Sequence, residues 1–434
     1  MPRPIRLMTL NPGHFHAALV HKQMVPGVHR RVHVYAPLDA DLLAHLARVA
    51  AFNARPADPT AWELDVRAGG DSLRRFLQEQ PGNTVVIAGR NRPKIDLILT
   101  ALSNGLHVLA DKPWAIDPAD FPKLEEALRQ ADLRDLVAWD MMTERFEVTN
   151  VLQRELMRDP DIYGSPLAGT PDDPGLALES AHYLKKTVAG VPLVRPAWWF
   201  DPAEAGTALA DVGTHLADLA MWLLFPDRPV DHRRDAEVLD ALAWPTPLDQ
   251  EQYAALTGLP DFPPGLANVA GDRLLYAGNG TATVRLRGVH VRLTALWDYE
   301  APPGGGDTHE AVARGTVGRI EVRPAGGGRP ELSVFAADAR RHAMVLAAVG
   351  RRCQGWQGLF PGVSARDLGS HVHVEVPDHL RAGHEAHFAS VVREFVRHFH
   401  NSRQVPAWEG TNLLTKYYLT TRATELAGAR QGRP

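Results

Sequence analysis

The sequence predicts an α/β protein in two parts. The first is an N-terminal Rossmann-type, doubly wound parallel sheet, and the second is a C-terminal α+β domain with a large, mostly antiparallel open sheet. Apolar strand patterns alternate with amphipathic helical patterns up to about residue 140, whereas strand patterns separated by glycine and proline dominate residues 281–376. A length of 434 residues also favours two domains over one. We therefore place the domains at residues 1–140 and 141–434, and the last helix could pack back on the first domain.

Each element of the first domain follows from a local pattern. Short apolar runs predict strands, and apolar residues spaced by three or four predict helices. The predicted strands are 5–10, 31–36, 84–88, 106–110 and 136–139. The predicted helices are 16–24, 39–52, 95–103 and 121–129. Strands that are apolar throughout and joined by helices form parallel sheets, which bind ligands beyond the carboxyl ends of the strands.

The second domain has a different pattern. A helix is predicted over 144–157, followed by a loop-rich stretch at 160–202, a helix at 211–224 and a proline-rich surface excursion at 226–271. The predicted strands are 281–287, 289–298, 316–323, 331–335 and 371–376. Two helices, 383–400 and 412–426, end the chain. Glycine and proline between the strands indicate hairpins, hence the antiparallel sheet.

Composition excludes several classes of function. The 47 basic and 51 acidic residues give a net charge of −4, so the basic surface of a nucleic-acid-binding protein is not expected. No apolar run approaches the roughly 20 residues that span a bilayer, and no membrane association is expected. The single cysteine, Cys353, rules out an intrachain disulfide framework and is typical of a cytoplasmic protein.

The turn after the first predicted strand departs from the usual dinucleotide fingerprint. In G-x-G-x-x-G turns, bare backbone at the first two glycines lets the pyrophosphate approach. Here the stretch reads Leu-Asn-Pro-Gly, and only Gly13 can fill a glycine position, the third. A plain strand-turn-helix is an equal alternative. His14 and His16 resemble a metal-binding H-x-H pair, but without a clear third ligand no metal is assigned.

Asp111-Lys112-Pro113 directly follows the predicted strand 106–110. It therefore belongs at the binding edge of the sheet. Pro113 disfavours helical backbone at Lys112, which directs the lysine away from the strand end. The ammonium could hydrogen-bond a substrate hydroxyl and stabilise charge developing on its oxygen. The alternative is a solvated surface lysine.

The predicted helix 211–224, which we name the Asp-His helix, carries Asp211, His215 and Asp218 at i, i+4 and i+7. These positions share one helix face. Asp211 could hydrogen-bond one ring nitrogen of His215 and leave the other for proton transfer. The alternative is an exposed helix face with an intrahelical ion pair.

Together these segments resemble the Gfo/Idh/MocA oxidoreductases. The stretch VVIAGRNRPKIDLILTALSNGLHVLADKP is similar to their second nucleotide-binding half, with Asp111 in place of the usual Glu and Lys94 in place of a His. GTALADVGTHLADLAMWLL is similar to their Asp-x-Gly-x-His-x-x-Asp helix. HFHAALVHK, SAHYLKKTVAGVPLVRPAWWF and TNLLTKYYLTT resemble a subgroup with a distinctive C-terminal domain.

The resemblance implies an NAD(P)-dependent oxidoreductase that transfers a hydride between nicotinamide and a carbinol carbon of a sugar, sugar derivative or polyol. In that interpretation Lys112 orients the reacting hydroxyl, His215 is the general base and Asp211 supports the site. The cofactor-binding candidates are Leu10, Pro12, Gly13, His14, Phe15, Asp39, Gly89, Asn91, Asp111, Lys112, Pro113 and Asp140. The substrate-binding candidates are Lys112, His182, Tyr183, Lys185, Trp199, Asp211 and His215. NAD is favoured over NADP, because Asp39 suits ribose hydroxyls and no adjacent arginine suits a 2′-phosphate.

Other interpretations stay open at this stage. The enzyme could cleave a glycoside through transient oxidation with retained NAD, or the fold could serve a non-catalytic dinucleotide or sugar sensor. A metal-dependent isomerase using His14, His16 and His182 is a further alternative. The expected partners are a small-molecule sugar or polyol and copies of the chain itself, in a dimer or tetramer.

Overall fold

The computed structural model describes residues 4–188 and 190–431, and this part of the chain divides into two compact units. The first unit comprises 4–143, Arg195–Gly206 and Gly383–Gly410. The second comprises the intervening segments and residues 411–431. The chain therefore leaves and re-enters each unit. The segment Gly383–Gly410, which holds the helix His384–His400 and the first two residues of the last helix, belongs with the N-terminal segment.

A six-stranded parallel sheet forms the centre of the first unit as described. Its strands are β1 (Leu7–Leu10), β2 (Arg31–Ala36), β3 (Glu63–Ala68), β4 (Thr84–Ile87), β5 (His107–Ala110) and β6 (Ala138–Asp140). They lie in the order β3-β2-β1-β4-β5-β6. The predicted Rossmann-type doubly wound sheet is thus confirmed, and its strand order reverses between β1 and β4, where such sheets bind ligands.

Helices connect these strands. The α-helices of the first unit are His16–Leu19, Ala40–Ala54, Ser72–Glu79, Lys94–Ser103, Phe121–Leu133, Pro202–Ala205 and His384–His400, and its 3-10 helices are Pro118–Asp120, Ala197–Phe200 and Ser402–Gln404. The first helix is shorter than predicted. The N–H groups of His21 and Lys22 donate to the carbonyls three residues earlier, which tightens the chain out of α geometry after Leu19.

Neither β3 nor the helix Ser72–Glu79 was predicted from the sequence. β3 reads ELDVRA and lies at the edge of the sheet, where its side chains are only half-buried. A charged edge strand lacks the continuous apolar run by which the inner strands were recognised.

The second unit is built on a ten-stranded sheet, as far as the structure describes it. Its strands are β7 (Leu176–Lys185), β10 (Ala236–Leu248), β11 (Val269–Ala270), β12 (Arg273–Leu286), β13 (Val289–Glu300), β14 (Thr308–Arg314), β15 (Gly318–Pro324), β16 (Pro330–Ala336), β17 (Ser364–Asp367) and β18 (Val372–Glu375), while β8 (Thr187–Val188) and β9 (Val191–Pro192) form a separate ribbon. The main order is β10-β12-β13-β7-β14-β15-β16-β18-β17, with β11 paired to β12. Neighbours are antiparallel except β13 and β7, so the predicted mostly antiparallel sheet is confirmed.

Two sequence predictions are wrong here. The loop-rich stretch 160–202 contains β7, which lies in the middle of the sheet between β13 and β14. Its serine, glutamate, histidine and lysine break the expected alternation. The surface excursion 226–271 contains β10 and a helix. β10 carries two prolines, which an edge strand tolerates because one side of it needs no ladder hydrogen bonds.

The helices of the second unit include the Asp-His helix, which runs from Ala208 to Leu224. The others are Val148–Met157, Gln250–Thr257, His342–Gly355 and Glu409–Gln431, with 3-10 helices at Thr143–Phe146, Gly326–Gly328, Ala339–Arg341 and Asp378–Leu380. The Asp-His helix is almost entirely buried and packs on β7, β12 and β13. Gly280 permits this approach, because a Cβ there would meet Leu209 Cγ at 2.7 Å.

Within the described residues, none of the helices is both long and apolar enough to cross a bilayer.

Candidate functional site

The turn after β1 is held by hydrogen bonds to the neighbouring strands. Asn11 adopts the left-handed region at φ 46°, which asparagine tolerates better than most residues. Its N–H donates to the Tyr35 carbonyl at 2.9 Å. The N–H groups of Gly13 and His14 both donate to the Ala88 carbonyl, at 3.1 and 3.0 Å. These amides are therefore engaged by the residue that follows β4, unlike the open amide cradle of a G-x-G-x-x-G turn.

Gly89 is required by this arrangement. A Cβ on Gly89 would lie 2.3 Å from the Asn11 carbonyl oxygen and 3.3 Å from the Gly13 nitrogen. The turns after β1 and β4 thus approach each other so closely that no side chain fits between them.

A cavity of about 260 Å³ opens beside these turns, at the carboxyl ends of β1, β2 and β4. Four of the predicted cofactor-binding residues line it: Pro12, Gly13, Asp39 and Gly89. Its other lining residues are Asn11, Ala36, Pro37, Asp41, Leu42, Ile87, Arg90, Pro93 and Leu97. It is slightly smaller than the roughly 300–1,000 Å³ of typical ligand pockets, a size suited to one part of a dinucleotide.

Two carboxylates give the cavity its acidic side. Asp39 caps the helix Ala40–Ala54, where its Oδ1 accepts the Leu42 N–H at 2.9 Å. Asp41 Oδ2 accepts the indole N–H of Trp198 at 3.0 Å, and burial raises the pKa of Asp41. Asp39 was predicted from the sequence and Asp41 was not, because the Trp198 contact joins residues far apart in the chain.

Arg90 is the basic residue of the cavity lining, and it too was not predicted from the sequence. Its guanidinium lies 3.5 Å from Glu204 Oε2 and 5.9 Å from the centre of the Trp198 ring.

His14, His16 and Asp111 form a compact group, which we name the His-Asp cluster. His14 Nδ1 lies 3.0 Å from Asp111 Oδ2, and His16 Nδ1 lies 3.0 Å from Oδ1 and 3.1 Å from Oδ2. Burial alone would raise the pKa of Asp111, but the two histidines hold it well below its usual value. Burial lowers the pKa of His16. The structure therefore brings together three residues that were predicted or considered separately.

Aromatic side chains surround the His-Asp cluster. Trp199, predicted as a substrate-binding residue, lies in the first unit and stacks on His14, with ring centres 5.1 Å apart and planes inclined by 6°. Phe15 lies between the two histidines in sequence and contacts both rings. Arg195 lies 5.2 Å above the Trp199 ring.

Lys112 is buried, so the alternative of a solvated surface lysine is wrong. Lys94, which is fully buried, donates from Nζ to Asn91 Oδ1 at 2.6 Å and to the Lys112 carbonyl at 3.4 Å. Asn91 in turn donates from Nδ2 to the Ala205 carbonyl at 2.7 Å. The Lys112–Pro113 peptide bond is cis. A buried network thus fixes the backbone that presents Lys112.

Leu10 and Asp140 mark the ends of β1 and β6, and both are buried at the carboxyl edge of the sheet. They share that edge with the other cofactor-binding candidates of the first unit.

In the second unit, Asp211 and His215 lie one turn apart in the Asp-His helix, with only 7% and 9% of their surface exposed. The alternative of an exposed helix face is therefore wrong. Asp218, one further turn along, accepts Arg145 at 2.6 Å and Lys416 at 3.2 Å. Burial alone would raise the pKa of Asp218, but the two cations lower it to about 2.

The remaining substrate-binding candidates lie on β7. Ser180 Oγ is 2.9 Å from His182 Nε2, and His182 Nδ1 is 3.1 Å from Asp307 Oδ2. Asp307 also accepts the Tyr183 N–H at 3.1 Å and Lys186 Nζ at 2.6 Å.

The indole of Trp297 stacks on the His182 ring, with centres 4.9 Å apart. Lys185 is half exposed and pairs with Glu300 at 2.8 Å. Ser180, Lys186, Trp297 and Asp307 were not predicted, since no local pattern links them to His182.

A family model described as "Putative oxidoreductase C terminal domain" matches residues 152–428. The chain belongs to this oxidoreductase family. The chain is 39% identical to a protein from Parabacteroides merdae ATCC 43184 whose crystal structure is described as that of a "putative oxidoreductase". The two structures superpose with a TM-score of 0.94, and the match covers 99% of this chain and 98% of the other. The predicted resemblance to Gfo/Idh/MocA-type oxidoreductases is thus confirmed at the level of an oxidoreductase family.

More distant solved structures share the fold alone. KijD10, a 3-ketoreductase from Actinomadura kijaniata in complex with NADP and TDP-benzene, is 16% identical with a TM-score of 0.57, and 96% of each chain is covered. GenD2 from gentamicin A biosynthesis, in complex with NAD, is 14% identical with a TM-score of 0.59, covering 99% of this chain and 95% of its own. No curated protein matches the sequence.

Proposed function

We propose that the chain is an NAD(P)-dependent oxidoreductase that acts on a CH–OH group of a sugar, sugar derivative or polyol. The observation that carries this proposal is the cavity where the parallel sheet reverses its strand order, with Asp39 on its wall. That location is where doubly wound sheets bind dinucleotides. Membership in an oxidoreductase family supports the reaction class.

Asp39 and Asp41 favour NAD over NADP. A carboxylate at the end of β2 suits the two hydroxyls of a ribose, whereas a 2′-phosphate there would meet like charge. Arg90 also lines the cavity, but Glu204 lies within 3.5 Å of it and offsets its charge. Proteins of this fold accept either cofactor, since KijD10 was solved with NADP and GenD2 with NAD.

The chain's own residues remove the proton of the substrate hydroxyl and stabilise the negative charge that develops on its oxygen. Lys112 hydrogen-bonds the reacting hydroxyl and stabilises negative charge on it. His215 takes the hydroxyl proton as general base, and Asp211 holds the histidine in the required tautomer. A bound nicotinamide would accept or donate the hydride.

The face of β7 supports a polyhydroxylated substrate. Ser180, His182 and Lys186 offer hydrogen-bonding groups beside the indole of Trp297, and Asp307 fixes two of them. We propose that this group contacts the sugar. Tyr183 directly follows His182 along β7, so its side chain lies on the opposite face of the sheet and is not part of the group. Lys185 contributes less, because it is half exposed and paired with Glu300.

A thermal-shift titration tests the cofactor first. NAD is expected to raise the melting temperature more than NADP, because a ligand that binds only the folded state stabilises it by mass action. Polyols and sugars are then screened with NAD by following NADH absorbance. The absence of a shift with either nucleotide would contradict the proposal.

Substitution of the proposed catalytic residues tests the reaction. Lys112→Met and His215→Gln are expected to reduce turnover by roughly a hundredfold or more while NAD still binds. Lys123→Met, which removes an exposed lysine of the helix Phe121–Leu133 with no role in the proposed site, is the matched control and should retain activity. Full activity in both catalytic variants would overturn the assigned roles. Binding without turnover would favour the sensor, and aglycone release without net NADH would favour glycoside cleavage.

We also propose that the protein is a homo-oligomer and that it is located in the cytoplasm. Light scattering coupled to gel filtration measures the mass of the assembly, and a monomer would contradict the predicted dimer or tetramer.

A further inference from the structure

Two imidazoles and one carboxylate converge in the His-Asp cluster. The ligand-capable atoms of His14, His16 and Asp111 all lie within 4.8 Å of one another. Divalent zinc binds histidine nitrogen and carboxylate oxygen at about 2.0–2.2 Å, so ligand atoms around a tetrahedral ion lie about 3.4 Å apart. Both histidines already present Nδ1 to Asp111 at 3.0 Å. A small outward movement of these side chains would therefore accommodate an ion.

Packing holds the three side chains in place. The Asp111 side chain is 2% exposed, and each histidine side chain is 8% exposed. Trp199 covers one face of His14, and the ring of Phe388 lies 4.7 Å from that of His16. Ligands whose orientations are fixed by surrounding side chains lose little entropy when a metal binds.

The charge of the cluster also suits a cation. Burying the Asp111 carboxylate is costly unless it is compensated, and without an ion the two histidine nitrogens 3.0 Å away provide that compensation. A divalent ion would supply that compensation while the imidazoles bind it as neutral ligands.

We propose that His14, His16 and Asp111 bind a divalent first-row transition-metal ion, with Zn²⁺ as the principal candidate. Imidazole and carboxylate together favour such ions over Mg²⁺, which prefers oxygen alone. Three protein ligands leave a further coordination position for water or a substrate oxygen, as in catalytic zinc sites. The sequence supplied the H-x-H pair, and the structure supplies the third ligand from 95 residues further along the chain.

Metal binding to the full-length chain tests this proposal. After chelator treatment, the wild type is expected to bind one Zn²⁺ per chain by calorimetry and mass spectrometry of metals. Co²⁺ should give the visible absorption bands of a low-coordinate nitrogen and oxygen site. Mg²⁺ should compete poorly.

His14→Gln and His16→Gln are expected to weaken Zn²⁺ binding by roughly tenfold or more. His33→Gln is the matched control, because His33 Nδ1 lies 3.1 Å from Asp65 in the same unit but outside the cluster. Circular dichroism verifies the fold of each variant. The Co²⁺ spectrum is recorded on the wild type, so this test does not depend on whether the variants fold.

The proposal would be overturned if the wild type bound no Zn²⁺ and gave no Co²⁺ bands. It would also be overturned if the His14 and His16 variants bound as tightly as the control. These readouts require neither NAD nor turnover, so their failure would leave the dinucleotide proposal standing.

Discussion

Asp39 has two tasks that a single substitution can separate. One oxygen caps the helix Ala40–Ala54, and the carboxylate also lines the cavity. Serine is an equally good N-cap but carries no charge. Asp39→Ser should therefore keep the melting temperature of the free protein and weaken NAD binding by roughly tenfold to a hundredfold, the value of a charged hydrogen bond to the ribose. Calorimetric titration with NAD measures this.

Asp71→Ser is the control for Asp39→Ser, since Asp71 precedes another helix of the first unit and lies outside the cavity. It should bind NAD as the wild type does. Unchanged NAD affinity in Asp39→Ser would show that Asp39 does not bind the ribose. The preference for NAD over NADP would then lose its basis.

At the scale of elements, Asp218 ties three segments of the second unit together. It joins the Asp-His helix to Arg145 and to Lys416 on the C-terminal helix. Asp218→Asn would leave two cations without their anion in a buried site, which typically costs about 3–5 kcal/mol. We expect a clearly lower urea concentration at the midpoint of unfolding, measured by tryptophan fluorescence.

The contribution of Asp218 should depend on pH. Its folded-state pKa of about 2 lies below the unfolded value of about 3.9. The stability it provides is therefore fully present above pH 4, roughly, and is lost as the pH falls toward 2. The stability difference between wild type and Asp218→Asn should shrink over that window. The exposed pair Asp227–Arg158 provides the control, and Asp227→Asn should change little. A difference that stays constant from pH 7 to pH 3 would contradict the assignment.

Gly89 governs how the turns after β1 and β4 meet. Alanine there would force its Cβ to within 2.3 Å of the Asn11 carbonyl, so one turn must move. Gly89→Ala should therefore lower both the melting temperature and NAD affinity. Gly350→Ala is the control, because Gly350 lies in a helix with open space around it and should gain stability. Wild-type NAD affinity in Gly89→Ala would mean that this turn does not shape the cavity.

The inner strands and the Asp-His helix could be predicted because their pattern is local. β4 and β5 consist mostly of apolar residues, and Asp111-Lys112-Pro113 follows β5 directly. β7 could not be predicted, since its position in mid-sheet follows from pairing with β13 and β14 and not from its own residues. The same holds for the site. Gly13 and Asp39 have local signals, whereas Asp41, Arg90 and Asp307 acquire their roles through contacts with distant residues.

For the whole molecule, the division into units predicts the result of truncation. The first unit includes Gly383–Gly410, where Phe388, Val392 and Phe395 are buried. A chain ending at residue 143 lacks this helix and also lacks Arg195–Gly206. It should aggregate or show no cooperative thermal transition by circular dichroism, whereas the full chain melts cooperatively. A stable, cooperatively folding fragment 1–143 would show that the later segments are dispensable.

The late position of Gly383–Gly410 in the chain also determines when the first unit can finish folding during translation. At roughly 5–20 residues per second, a ribosome needs tens of seconds to travel from the last strand of the parallel sheet to this helix. During that interval the nascent sheet exposes the apolar surface that the helix will cover. Chaperone binding to the emerging polypeptide is therefore expected to persist until translation is nearly complete.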